Sequence, residues 1–359
     1  MVRSFSKRCF LVYPLANTFV HKDLATLADL GVSVYAHQLK PTKNLLLFLL
    51  EQFKLLLLSL WQIPRSHRVV SWFSDYHSLF PLVLAKLFGT PSLVIVGGFD
   101  AVSDPNNAYG IFYKKGIRQQ IARWNYQLAD RIWVVDATLQ KGCQTAESRD
   151  GIVSGLEYWI PGLAPKIEVV PTGYDPNYWK KTQEKKPKTI LTVASITSAK
   201  VIRRKGIPLF LAMAKACPDW TFTIAGDADG RLVKLFSLSN NVRVLGRLSS
   251  DALVQLYSKQ QCYFQASRVE GLPNVLCEAM LCECIPIGQK AFGIETAIGN
   301  SGLLFETPPT VEMFQKMLNE AQQKDPSLCR IRIKQKFHQE KRENKWKQYF
   351  NLDQSTDTL

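Results

Sequence analysis

The chain has 359 residues, of which 46% are apolar and 21% charged, and its formal net charge is +15. These are the proportions of a soluble globular protein, which excludes a disordered or fibrous chain, and the length asks for two hydrophobic cores rather than one. The eight cysteines are scattered, so they read as small buried thiols in a reducing cytoplasm and exclude a disulfide scaffold.

The first residues, MVRSFSKRCFLVYPLAN, predict a strand rather than a signal peptide, because the apolar run is short and polar residues follow it promptly. Apolar runs at 8–13, 32–36, 68–72, 92–96, 131–135 and 167–170 alternate with longer helical patterns. Their hydrophobicity is continuous rather than alternating, which predicts strands buried on both faces and therefore a parallel, doubly wound α/β sheet. Between the second and third runs, residues 45–61 (LLLFLLEQFKLLLLSLW) predict a helix packed on that sheet. Glu51, Gln52 and Lys54 argue against a membrane span. The segment nevertheless holds more leucine than one buried face requires, so peripheral contact with an anionic membrane is a second expectation. The fourth run ends in Gly97-Gly98-Phe99-Asp100. Glycines there admit a close backbone approach to a ligand, and Asp100 either points at that ligand or caps local N–H groups. Residues 102–110 are expected to form a mobile loop.

A polar stretch from Lys180 to Lys188 separates these elements from a second series of apolar runs at 189–194, 220–225, 242–245, 262–265, 284–287 and 302–305. The predicted domains are therefore 1–175, 176–335 and a C-terminal helix and tail at 336–359. In the second domain, residues 262–288 (CYFQASRVEGLPNVLCEAMLCECIPIG) place Glu270 at a loop lip and Glu278 two turns away on a helix. The loop Gly271, Leu272, Pro273, Asn274 and Val275 offers free backbone N–H groups at the positive end of that helix, which suits a phosphate-bearing ligand. Glu278 is then placed to accept hydrogen bonds from ribose hydroxyls. An ordinary acid-rich helix start is the alternative. Cys277, Cys282 and Cys284 lie close together, but no histidine is near and their spacing fits no zinc motif, so no metal site is expected.

Ser267, Glu270-Gly271-Leu272-Pro273-Asn274-Val275 and Glu278-Ala279-Met280 resemble the Glu-x7-Glu signature of retaining glycosyltransferases of family 4. Other motifs of that family follow in order: Glu168 to Asp175, Lys205-Gly206, Ile224-Ala225-Gly226, Val244-Leu245-Gly246, Pro286-Ile287-Gly288 and Gly302 to Phe305. The resemblance, over residues 90–306, implies a glycosyltransferase B fold: two Rossmann-like domains facing across a cleft, the second binding a nucleoside diphosphate sugar. It also implies a last helix that returns to the first domain. By this resemblance Lys205 neutralises the departing diphosphate and Glu270 holds the sugar. Asp100, standing where many relatives carry a histidine, orients or deprotonates the acceptor hydroxyl or holds the donor sugar. The family's usual phosphate-binding arginine is absent after the strand ending in Ala194-Ser195, where a longer loop, 196–204, is expected; Arg204, in preference to Arg203, is the substitute. The glycine-rich turn that follows the first strand in many relatives is missing as well. Asp227-Ala228-Asp229 is a metal-binding triplet in a different transferase fold, yet here it reads as a turn after a strand.

The implied activity is metal-independent transfer of a glycosyl group, with retention, to a hydroxyl of a glycan or lipid-linked acceptor in cell-surface polysaccharide or glycolipid synthesis. No cofactor beyond the donor sugar is expected, and the expected location is the cytoplasm or the inner face of the plasma membrane. The net charge alone suggests nucleic-acid binding, but no motif for it accompanies the charge. Much of the basic excess lies at 330–347, interleaved with aromatic residues, a pattern that suits a helix on anionic lipid or on the protein's own surface. A non-catalytic nucleotide or glycan binder on the same scaffold is the competing function.

Overall fold

The computed structural model describes residues 7–352. The first six residues of the predicted leading strand and the last seven of the predicted tail lie outside the described residues. The chain forms two compact units: unit 1 holds residues 7–143, 152–172 and those from 340 on, and unit 2 holds Gln144–Gly151 and Gly173–Gln339. Unit 2 therefore takes a short segment from inside the first half that a single cut at 175 does not contain.

Unit 1 is built on six parallel strands, β1 (Lys7–Tyr13), β2 (Val32–Gln38), β3 (Arg68–Trp72), β4 (Ser92–Val96), β5 (Arg131–Val134) and β6 (Ile167–Val169), in the order β2-β1-β3-β4-β5-β6. Each coincides with one of the apolar runs. Every residue of β4 is buried, as a strand covered on both faces requires. Helices α1 (Thr18–Asp29), α2 (Leu45–Gln62), α3 (Tyr76–Leu87) and α4 (Ile117–Leu128) connect or flank the strands. Asn44 starts α2 by accepting from the Leu47 N–H at 3.1 Å, and Asp75 and Ser78 form a reciprocal capping box at the start of α3. Phe10, Val12, Val69, Leu55, Ile63, Leu84 and Ala85 make one core cluster between sheet and helices. The stretch 102–110 differs from expectation. Val102–Ser103 pairs antiparallel with Val153–Ser154, and a Cβ on Gly110 would lie 1.9 Å from the Val102 carbonyl oxygen, so the turn packs directly on its own strand.

Unit 2 repeats the plan with β7 (Lys186–Val193), β8 (Thr221–Ala225), β9 (Val242–Leu245), β10 (Gln260–Gln265), β11 (Ile285–Gln289) and β12 (Leu303–Phe305), all parallel, in the order β9-β8-β7-β10-β11-β12. Its helices include α5 (Ala199–Arg204), α6 (Ile207–Ala216), α7 (Asn274–Leu281), α8 (Phe292–Ile298) and α9 (Ser327–Phe337). Phe210, Phe222, Phe264 and Phe314 stack edge to face and tilted, with centroids 5.0–6.5 Å apart, to fill the interior. The segment Gln144–Gly151 is tied to this unit by an ion pair, Arg268 to Asp150 at 2.9 Å, and by a hydrogen bond that Arg149 donates to the Glu306 carbonyl at 2.9 Å. All eight cysteines are buried and none is joined in a disulfide, and burial pushes the thiols of Cys262, Cys282 and Cys284 upward, which makes those three unreactive.

The last helix, α10 (Gln339–Phe350), lies in unit 1 from Glu340 onward. Trp346 packs on Trp133 with centroids 4.7 Å apart, and Arg342 forms a two-pronged pair with Asp23 of α1. The arginines of the basic C-terminal stretch are therefore spent inside the protein, while Lys334, Lys336 and Lys341 are exposed. Arg330 donates to the Leu281 carbonyl at the end of α7 as well as to those of Trp179 and Pro176, and Arg332 donates to Thr296 and Ala297 near the end of α8. Cations at helix C-termini satisfy orphan carbonyls and complement the helix dipole. Of the two surfaces expected for this basic segment, the arginines use the protein's own.

Candidate active site

In unit 2 the strand order reverses at β7, whose neighbours are β8 on one side and β10 on the other. A crevice opens at such a switch point beyond the strand C-termini, and the chain places its charged residues there. Beyond β7, where a loop was expected, residues 199–204 form α5, capped by the Ser198 hydroxyl accepting from the Val201 N–H at 3.3 Å. Lys205 follows as the C-terminal cap, and Gly206 turns into α6 with φ +70°. A Cβ on Gly206 would meet the Ala266 carbonyl oxygen at 2.4 Å, so the glycine lets the Lys205 turn sit against the end of β10.

Beyond β10 the chain carries Glu270 into the same place. Lys205 Nζ bonds Glu270 Oε1, although the two are 65 residues apart, and their side chains are only 18% and 14% exposed. Gln265 bridges the group, with Nε2 2.7 Å from Ser267 Oγ and 3.4 Å from Glu270 Oε1. Burial by itself would raise the Glu270 carboxyl. The charges of Lys205 and Arg204 and the bonds from Lys205 and Ser267 win, holding it below the usual carboxylate range. The site is thus a mostly buried carboxylate held in its ionised form by neighbouring cations. Gln265 was not singled out from the sequence; its only signal is its place at the strand end, two residues before Ser267.

Residues 271–275 form a tight turn into α7. Pro273 stands at the N-cap and no side chain caps the helix, while Asn274 Oδ1 accepts from the Tyr174 hydroxyl at 2.8 Å. The first-turn N–H groups of α7 therefore have no side-chain acceptor at the N-cap. Glu278, one turn into the helix, is 3% exposed. Burial, and then the charges of Glu270 and Glu278 together, push the Tyr263 phenol well up, against the Val193 N–H that its oxygen accepts at 3.3 Å. Both glutamates therefore act on the same interior tyrosine. The turn is held from behind by Gly293, where a Cβ would stand 1.7 Å from the Gly271 carbonyl oxygen. Gly293→Ala is expected to displace the 271–275 turn and cost about 1–3 kcal/mol of stability, measured by denaturant unfolding. An unchanged midpoint would show that the turn yields freely.

Arg204 is half-buried and bears on Glu270, whereas Arg203 is exposed. The Arg204 carbonyl also accepts from the Arg268 N–H at 2.9 Å, fixing α5 to the Glu270 loop. Asp227 of the acidic triplet caps the short helix Arg231–Leu235, accepting from the Arg231 and Leu232 N–H groups at 2.9 Å each, and Asp229 pairs with Arg231. This is the turn that the sequence predicts.

In unit 1, Asp100 is fully buried. Its carboxylate accepts from the N–H groups of Ser74, Gly97 and Gly98 at 3.1, 3.1 and 3.2 Å and from the Tyr126 hydroxyl at 3.2 Å. Of the two roles the sequence left open, this geometry is that of a loop cap. Burial pushes its carboxyl from 3.8 up to about 6, although its backbone N–H bonds pull downward. The folded value lies above the unfolded one, so the contribution of Asp100 to stability is full below about pH 4 and is lost as pH rises through about 6. The unfolding free energy of the wild type minus that of Asp100→Asn should fall by on the order of 2–3 kcal/mol between these pH values. A difference independent of pH would refute the assignment.

A family model described as glycosyl transferases group 1 matches residues 175–339. No curated protein matches the chain by sequence. Among solved structures, the chain is similar to sucrose-phosphate synthase from Thermosynechococcus elongatus, with a TM-score of 0.72 at 15% identity, covering 96% of this chain and 98% of that one. It is similar to the catalytic domain of starch synthase IV from Arabidopsis thaliana bound to ADP and acarbose, with a TM-score of 0.70 at 10% identity and coverage of 97% and 99%. It is also similar to HepE from Anabaena in complex with UDP-glucose, with a TM-score of 0.64 at 14% identity and coverage of 96% and 100%. The fold is of the glycosyltransferase B type.

Proposed function

Residues 175–339 belong to the group 1 glycosyl transferases, and from that premise we propose that this protein moves a sugar, with retention and without a metal, from a nucleoside diphosphate sugar to a hydroxyl of a glycan or lipid-linked acceptor. The observation that carries the reading is the buried Glu270–Lys205 pair beside the uncapped start of α7, at the switch point of the unit 2 sheet. Glu278 takes the ribose hydroxyls, and the N–H groups of 271–275 take the diphosphate together with Lys205 and Arg204. Glu270 holds sugar hydroxyls and favours positive charge on the ring. The bond between the anomeric carbon and the diphosphate oxygen breaks, and its electron pair leaves with the phosphate. The acceptor oxygen attacks from the same face and its proton passes to the departing phosphate, which preserves the configuration. Asp100 acts by holding the Gly97-Gly98 turn of unit 1, the unit to which the acceptor is assigned. The site of action is the cytoplasm or the inner face of the plasma membrane, in cell-surface polysaccharide or glycolipid synthesis.

The test is thermal stabilisation by UDP-, GDP- and ADP-sugars, repeated with Glu278→Ala. A ligand above its dissociation constant raises the melting temperature by mass action, so one nucleotide class should give a shift that vanishes in the variant. No shift with any donor, in the presence of acceptor or its absence, would overturn the reading. Turnover should survive EDTA; loss with EDTA and recovery with manganese would refute metal independence. Loss of turnover with retained donor binding in Glu270→Gln distinguishes an enzyme from a binder, which has no turnover to lose.

A further inference from the structure

Helix α2 is built inside out. Its inward face carries Gln52 and Ser59 beside Leu55, and the Ser59 hydroxyl must bond back to the Leu55 carbonyl at 2.6 Å. Its outward face carries Leu46, Leu50, Phe53, Leu57 and Trp61, one stripe at helical spacing, with Leu46 67%, Phe53 58% and Trp61 60% exposed. A helix facing water has the opposite arrangement, so this stripe is made for an apolar neighbour. By length and composition the segment Leu45–Arg65 would suffice to cross a membrane. It cannot do so without leaving the fold, because Leu55 and Ile63 sit in the core with Phe10, Val12 and Val69. A helix held along one side presents the other to a surface rather than spanning it.

Charge decides which surface. Lys40 and Lys43 are exposed before the helix, Arg65 is exposed after it, and the single acid on the helix, Glu51, is engaged by Lys54 at 2.8 Å. The Arg65 guanidinium stacks 3.7 Å over Trp61, an aromatic and a cation together at the helix end. In an antiparallel two-fold pairing of α2 with a second copy, the basic start of each helix would face the basic end of the other, and a parallel pairing would align like ends, so self-association is opposed in both orientations. Anionic lipid complements both the cations and the apolar stripe. At the N-terminal end of the stripe lies a cavity of about 390 Å³, with Leu45 and Phe48 on one side and Lys40, Lys43, Asp75 and Arg118 on the other. It sits past the C-terminal ends of β2 and β3, around the point where the strand order β2-β1-β3 reverses.

We infer that α2 docks on an anionic lipid surface and that the cavity at its start takes a phosphate-bearing lipid head group, which makes the acceptor a membrane amphiphile. The acceptor clause rests on the transfer reading above; the docking clause does not. The experiment is co-sedimentation of the full chain, at physiological salt, with vesicles of phosphatidylcholine alone or with phosphatidylglycerol added. The wild type should pellet with the anionic vesicles, and Leu50→Glu/Phe53→Glu should weaken this by about tenfold or more. Lys40→Glu/Lys43→Glu should remove the preference for phosphatidylglycerol. Both pairs are on the surface, and unfolding of each variant in urea, followed by tryptophan fluorescence, reports that unit 1, which holds α2, is folded. A wild type that stays in solution, a Leu50→Glu/Phe53→Glu variant that binds as well as wild type, or a solution dimer dispersed by that variant overturns the inference. A donor shift without vesicle binding sinks only the docking, whereas vesicle binding without any donor shift sinks the transfer reading and leaves the docking face standing.

Discussion

On the proposed mechanism, Lys205→Met should lower the rate of sugar transfer by about 10²- to 10³-fold, because it removes one fixed, largely desolvated cation from the place proposed for the leaving diphosphate. The same cation is the strongest influence holding Glu270 below the ordinary carboxylate range. With the ammonium gone, burial acts on Glu270 with less opposition, and its carboxyl rises. The acid limb of the pH–rate profile should therefore move to higher pH in the variant, a change that a merely structural lysine would not produce. Donor binding, read by melting temperature, should weaken less than turnover, since the charge that Lys205 meets is largest in the transition state. A loss of less than about tenfold with an unmoved acid limb would remove Lys205 from the machinery.

Arg342→Met should destabilise unit 1 by about 3–5 kcal/mol, the cost of stranding a buried charge. Asp23 and Arg342 have side chains 4% exposed each, and Asp23 also accepts from the indole N–H groups of Trp72 at 2.9 Å and Trp346 at 3.0 Å. Arg342 in turn bonds the Val170 carbonyl at 2.8 Å and lies within 5.7 Å of the ring centres of Trp72, Trp133 and Trp346. Loss of either partner leaves the other unpaired among aromatic rings, so Asp23→Asn should be similarly harmful. The pair Asp23→Leu/Arg342→Met should recover part of the loss, because replacing both charges by apolar groups removes the desolvation penalty with the attraction. Unfolding in urea, followed by tryptophan fluorescence, measures all three. A loss below about 1 kcal/mol in Arg342→Met would mean that water reaches the pair.

Gly293 and Asp100 each support a turn from behind, one beside the Glu270 loop and one beside Gly97-Gly98; the cap by Asp100 was one of the two roles its place after the glycines suggested, whereas nothing local marks Gly293.

The edge strands β2, β6 and β9 are only partly buried, but inner strands such as β4 were legible because a strand buried on both faces must be apolar throughout, and that requirement is written in consecutive residues. The same holds for the Glu270 loop and α7, whose proline, glycines and spacing are local. What the sequence by itself determined is therefore the element order, the parallel α/β class of both units and the chain positions of Glu270, Glu278 and Lys205. Only the tertiary structure decided which of them meet. Lys205 reaches Glu270 across 65 residues, and Arg342 reaches Asp23 across 319, through strand order and helix packing that no local pattern encodes. It also decided that Asp100 is spent on its own turn, that 144–151 belongs to unit 2, and that Leu46, Leu50 and Leu57 of α2 point outward while Leu55 is buried. Hydrophobic periodicity states that a helix has an apolar face, but the side of the helix that meets the sheet is chosen by the whole core, and for α2 that core took the side with Gln52 and Ser59.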